Sequence, residues 1–145
     1  YLATYLLMTL ASFFVLAQVR IQDGSEQIDA FNGLGKRNPT LALGVTVVMA
    51  ALAGVPLTAG FYGKFFVFAL AAKAQLWWCV ALAAVGAAAG FYYYFKIIRA
   101  IWWEAPADGA KPLVLPQVTR FCLVGLTLAV IVLGIYPAPI EWLLR

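Results

Sequence analysis

"PTLALGVTVVMAALAGVPLTAGFYGKFFVFALAA", residues 39–72, carries a single charged side chain, Lys64, in 34 residues that are otherwise apolar, small or hydroxylated. As one continuous helix it would run ~51 Å, too long for a single upright crossing of ~30 Å of hydrocarbon. Divided at Gly54-Val55-Pro56, it gives two pieces of about 14 to 16 residues, each too short to cross alone. Pro56 lacks an N–H and disfavours helical geometry at Val55, and Gly54 loosens the turn before it. The stretch therefore predicts one crossing made by a broken helix over 39–72, interrupted near 54–57.

The rest of the chain agrees with a membrane setting. Hydrophobic residues make up 65% of the 145, charged residues 11%, and the mean hydropathy is +0.92, far from the roughly one-quarter charged composition of soluble domains. Further uncharged runs cover 1–19, 75–95 and 121–139, each near the ~20 residues of a membrane-spanning helix. The predicted fold class is all-α, a polytopic transmembrane helix bundle of four crossings, over about 1–20, 39–72, 75–99 and 117–137. The chain opens at Tyr1 inside an apolar run, without a basic flank or a small-residue cleavage site, and is expected to be a piece of something longer.

Charge sets the expected topology. With the broken helix counted as one crossing, Arg20, Lys36, Arg37, Lys96, Arg99, Lys111 and Arg120 fall on one side, and Lys73 and Arg145 on the other. The positive-inside rule then places both ends of the chain outside. The same distribution, with basic residues just beyond apolar runs, accounts for the net charge of +4 without nucleic acid. Two connectors are expected on the inner side: 22–38, "QDGSEQIDAFNGLGKRN", and 104–116, "EAPADGAKPLVLP". Trp77, Trp78, Trp102, Trp103 and Trp142 sit at run ends, as headgroup-level anchors do.

All six acids, Asp23, Glu26, Asp29, Glu104, Asp108 and Glu141, lie outside the spans, and Lys64 is deep. It precedes Lys73 by nine residues, ~13 Å along a helix, which puts it near mid-bilayer and beyond easy snorkelling. Facing lipid there would cost several kcal/mol, so two readings stand: a structural ion pair with an acid on another helix, and a protonatable relay group facing a hydrated interior. A broken helix favours the second, because its unpaired backbone groups are tolerated only against protein or a water-filled cavity. Gly60 and Gly63 remove bulk beside Lys64, admitting either water or a neighbouring helix.

Other features are less specific. Lys96 and Arg99 in "FYYYFKIIRAIWW" share one helical face near the inner boundary, as snorkelling residues or as the cytoplasmic mouth of a proton path. Gly86 and Gly90 form a GxxxG suited to close helix packing. Thr46, Thr58, Tyr62 and Tyr92 to Tyr94 can support water chains or simply pack. Cys79 and Cys122 read as buried free thiols. There is no His, no cysteine cluster and no glycine-rich phosphate loop, so nothing points to a bound metal, haem or nucleotide.

"MAALAGVPLTAGFYGKFFVF" (49–68) and "LWWCVALAAVGAAAGFYYYFKIIRAIWW" (76–103) resemble the twelfth and thirteenth transmembrane helices of the N-subunit family of bacterial NADH:quinone oxidoreductase, respiratory complex I. "YLATYLLMTLASFFVL" (1–16) and "FCLVGLTLAVIVLGIYP" (121–137) are similar to its eleventh and fourteenth. The pattern Pro56, Gly60, Phe61, Lys64 is shared more widely, with the other antiporter-like subunits and with multisubunit cation/proton antiporters. The resemblance implies proton translocation through half-channels, with Lys64 as the terminal relay residue beside the break at Gly54, Pro56 and Gly60. It implies earlier relay residues outside this chain, flavin mononucleotide, iron-sulfur clusters and quinone on other subunits, no cofactor on this one, and a location in the bacterial inner membrane among other membrane-arm subunits, lipid, water and protons.

Overall fold

A computed structural model of the chain describes residues 2–106 and 110–136. Among them the regular structure is entirely helical: α1 (Leu2–Asp23), a 3-10 turn (Ile28–Phe31), α2 (Leu34–Arg37), α3 (Pro39–Ala53), α4 (Ala59–Lys73), α5 (Trp77–Trp103) and α6 (Gln117–Ile135). Three of these, α1, α5 and α6, are long and apolar enough to cross a membrane by themselves. The predicted broken helix is present as α3 and α4, of 15 residues each. The chain is a polytopic membrane helical bundle.

Helix α3 lies at its centre, packed against α1, α5 and α6. It starts sharply because the Asn38 side chain accepts a hydrogen bond from the Leu41 N–H at 2.9 Å and Pro39 occupies the first helical turn, where its missing N–H costs nothing. Its buried residues include Leu41, Val45, Val48 and Leu52, whereas α1 buries a single stripe, Thr4, Met8, Ala11, Val15 and Val19, at helical spacing. In lipid there is no hydrophobic drive for one apolar helix to leave the tails for another, so close contact of small residues carries the packing. Gly44 shows this: a Cβ there would come within 2.9 Å of the Leu123 side chain on α6.

The two expected connectors meet at one end of the bundle and are tied by side chains. Gln22 donates to and accepts from the backbone of Val114, at 3.0 and 3.1 Å. Asn38 Nδ2 donates to the Leu113 carbonyl at 2.8 Å, and Arg37 Nε to that of Lys111 at 3.0 Å. The Arg37 guanidinium also forms a two-pronged pair with Asp23, at 2.6 and 2.8 Å. Its side chain is only 8% exposed. Those hydrogen bonds, accepted by Asp23, raise the Arg37 pKa above its ordinary value against the opposing effect of burial.

Element ends differ from the sequence reading for one physical reason: charge marks where hydrocarbon stops, while glycine and proline mark where helix stops. Helix α1 runs past Arg20 to Asp23 and ends at Gly24, whose φ of +70° and 2.8 Å bond to the Arg20 carbonyl close it. Helix α5 runs past Arg99 to Trp103, just before Pro106. The connector over 22–38 contains helical turns instead of plain loop. Both thiols are exposed on the surface of this chain, correcting the expectation that Cys79 and Cys122 are buried. Trp142 and Arg145 lie outside the described residues.

Candidate functional site

The site is the break itself, residues 54–58. Gly54 adopts φ +88°, a left-handed conformation that closes α3 at low cost only for glycine. Its N–H donates to the Ala50 and Ala51 carbonyls at 3.1 and 3.0 Å, and the Val55 N–H donates to Ala50 at 3.0 Å. Leu57 is also left-handed, at φ +71°, which is costly for a side chain with a Cβ. Thr58 then turns the chain into α4, its hydroxyl donating to the Val55 carbonyl at 2.6 Å.

A helix leaves its last four carbonyls without intrahelical partners. In α3 these are Ala50 to Ala53, and Gly54 and Val55 satisfy the first two. Lys64 takes the other two: its Nζ donates to the Leu52 carbonyl at 2.7 Å and the Ala53 carbonyl at 3.0 Å. An ammonium group thus sits on the negative end of the α3 macrodipole. The ion pairs among the described residues are Arg20–Glu26, Arg37–Asp23 and Arg99–Glu104, so the carboxylate partner that a structural ion pair requires is not present for Lys64 among them.

One glycine lets the halves approach each other and a second lets α6 approach the break. A Cβ on Gly60 would overlap the Ala51 carbonyl, and one on Gly134 of α6 would overlap the backbone of Thr58. Of the two roles open to Gly60 in sequence, admitting water or admitting a helix, the structure takes the second. Gly86 and Gly90 behave oppositely: nothing lies within 4 Å of a Cβ on Gly86, and only the Tyr94 ring within that distance of one on Gly90. Among the described residues no helix packs on this GxxxG. It lines a cavity of about 310 Å³ shared with Lys64, Leu52, Tyr5 and Tyr94.

A second cavity, about 330 Å³, shares Tyr5, Leu52 and Tyr94 with the first and extends past Thr9 and Ser12 to Glu26 in the connector. The two cavities thus share a wall, one reaching Glu26 at the connector and the other reaching Lys64. Sequence reasoning missed Tyr5, Thr9 and Ser12, whose spacing of four and three puts one polar stripe on α1. Lys96 and Arg99 do not line the Lys64 cavity. Arg99 is exposed, 2.9 Å from Glu104, beside a separate depression of about 550 Å³ that also includes Trp103. Thr46 is engaged in packing, accepting from Trp102 Nε1 at 2.9 Å and donating to the Ala42 carbonyl at 2.7 Å.

Comparison with known proteins agrees with this architecture. The chain is 37% identical to a protein named NADH-quinone oxidoreductase subunit N from Chromohalobacter salexigens, over 98% of its own length and 31% of that relative's. Its fold matches a chain in the structure of respiratory complex I from Thermus thermophilus with bound aureothin, with a TM-score of 0.79, 33% identity, and coverage of 95% of this chain and 31% of that one. The chain therefore spans about a third of the length of both. Residues 1–90, more than half of the 145, match the family model described as NADH:quinone oxidoreductase/Mrp antiporter, TM, and the chain belongs to that family.

Proposed function

We propose that this chain is the C-terminal third of a subunit N in the membrane arm of NADH:quinone oxidoreductase, and that Lys64 is the relay residue of a proton half-channel within it. The observation that carries the reading is the placement of the Lys64 ammonium on two helix-terminal carbonyls beside a cavity, with no ion pair to a carboxylate among the described residues. Carbonyl dipoles stabilise the charged amine without neutralising it, and an amine that has lost a proton can still donate hydrogen bonds. The site thus accommodates both protonation states with one geometry, and a change in neighbouring charge decides between them.

In this reading the two cavities along Ser12, Thr9, Tyr5 and Tyr94 hold connected water, and the half-channel delivers protons to the outer side; Lys96 and Arg99, expected at an inner-side mouth, line neither cavity. The remaining relay groups belong to the part of the subunit outside this chain. Flavin mononucleotide, iron-sulfur clusters and quinone belong to other subunits, and this chain bears no redox site. The chain resides in the bacterial inner membrane with both ends on the outer side, in contact with lipid and neighbouring membrane-arm subunits.

Lys64→Ala is expected to lower proton pumping by roughly a hundredfold or more at equal assembled protein, the scale for loss of a proton-transfer group. Unchanged pumping would remove the relay role. A cation/proton antiporter subunit is the second reading, favoured by a family model that spans both classes. Hard cations prefer oxygen ligands, carboxylates above all, and no acid lies in these spans. Co-purification separates the two: flavin-bearing and iron-sulfur partners indicate the oxidoreductase. A non-conducting scaffold would show Lys64→Arg or Lys64→Met altering stability before pumping.

A further inference from the structure

Gly54 is a helix terminator by its conformation, but its surroundings give it a second role. A Cβ built on it would lie 3.0 Å from Cδ of Lys64, 3.4 Å from Nζ and 3.6 Å from Cε. The lysine stem therefore lies against the face that the glycine leaves bare, and this route brings the ammonium to the Leu52 and Ala53 carbonyls. A β-carbon would press on the stem at closer than ordinary contact distance, and the far end of a flexible side chain gives way before the backbone does.

We infer that Gly54 is a positioning residue for Lys64: the absence of its side chain, separately from its left-handed backbone, seats the ammonium on the terminal carbonyls of α3. The four terminal carbonyls of α3 divide accordingly. The Gly54 and Val55 N–H groups satisfy Ala50 and Ala51 whatever Lys64 does, whereas Leu52 and Ala53 have Lys64 as their donor across the break. Backbone closure and ammonium seating are thus two functions of one residue, addressed to different carbonyls. The consequence for pumping rests on the relay reading of Lys64; the seating itself does not.

The two functions separate experimentally because asparagine tolerates the left-handed conformation. Gly54→Asn keeps the break and adds a side chain against the lysine. The variants Gly54→Asn, Lys64→Met and their double combination are made in the full subunit within the assembled membrane complex. Two readouts are compared at equal assembled protein: the thermal midpoint for loss of the subunit and the rate of proton pumping. With Lys64 present, Gly54→Asn is expected to lower the midpoint and to slow pumping roughly tenfold, on the scale of a misplaced reacting group. In the Lys64→Met background it should lower neither further.

An equal fall in midpoint with and without Lys64 would mean that Gly54 serves the break alone, and the inference would be wrong. Unchanged midpoint and pumping in Gly54→Asn would overturn it as well. Normal pumping by Lys64→Met, with the midpoint coupling intact, would reject the relay reading and keep the positioning role. Loss of pumping in Lys64→Met with additive midpoints does the reverse. If Gly54→Asn assembles only beside Lys64→Met, that rescue supports the inference; failure to assemble in both backgrounds refutes it.

Discussion

Lys64 is the residue that the sequence announces most clearly, because a lone cation far from the ends of an apolar run has few inexpensive positions to occupy. Its partners are less visible. Backbone carbonyls have no residue identity, so the Leu52 and Ala53 oxygens emerge only when the halves of the broken helix are placed. Leu57 is similarly silent, since leucine gives no sign of a left-handed backbone. Glycine is ambiguous in a third way: Gly60 and Gly134 meet backbone, while nothing lies within 4 Å of a Cβ on Gly125. Gly60→Ala is accordingly expected to cost about 2 kcal/mol or more, while Gly125→Ala stays neutral or stabilises slightly through helix propensity. Thermal denaturation of the assembled complex distinguishes them; equal effects at the two sites would contradict the packing described at the break.

Among the elements, the broken helix was legible from length and proline position alone, and its interruption at 54–58 lies within one residue of the expected 54–57. The connectors were legible only as polar stretches. Their structure depends on side-chain-to-backbone bonds from Gln22, Arg37 and Asn38 across more than seventy residues of sequence, in which no short-range pattern takes part. Removing Arg37 leaves Asp23 without its guanidinium and the Lys111 carbonyl without that donor. Arg37→Ala is expected to cost about 2–3 kcal/mol and to speed amide hydrogen exchange over residues 110–116, with the crossings unaffected. Arg99→Ala, which breaks an exposed pair with Glu104, is expected to change stability by less than ~1 kcal/mol. If both variants exchange alike over that connector, the strapping role of Arg37 is lost.

For the molecule as a whole, the expected count of crossings rests on the basic residues, and which helix faces meet was not legible at all. A membrane helix is apolar toward lipid and protein alike, so the periodicity that reveals the inner face of a soluble helix is weak here. Helix α5 illustrates this: its apolar window is wholly unburied within this chain, with Trp78, Tyr92 and Tyr93 all exposed. Sidedness is testable directly. With Lys73→Cys and Lys111→Cys in the full subunit, a membrane-impermeant thiol reagent should reach position 111 from the inner side and position 73 from the outer. Labelling of both from one side would undo the four-crossing topology.

The two halves of the broken helix are held very unequally. Nine residues of α3 are buried, and Asn38 and the Trp102–Thr46 bond pin it near its start and midway, whereas α4 buries only Ala59 and Gly60. Within this chain α3 is thus a fixed pier and α4 a lever hinged at its foot. Any relative displacement would carry the lysine towards or away from a stationary pair of oxygens, turning a small angular change into the making or breaking of an electrical contact.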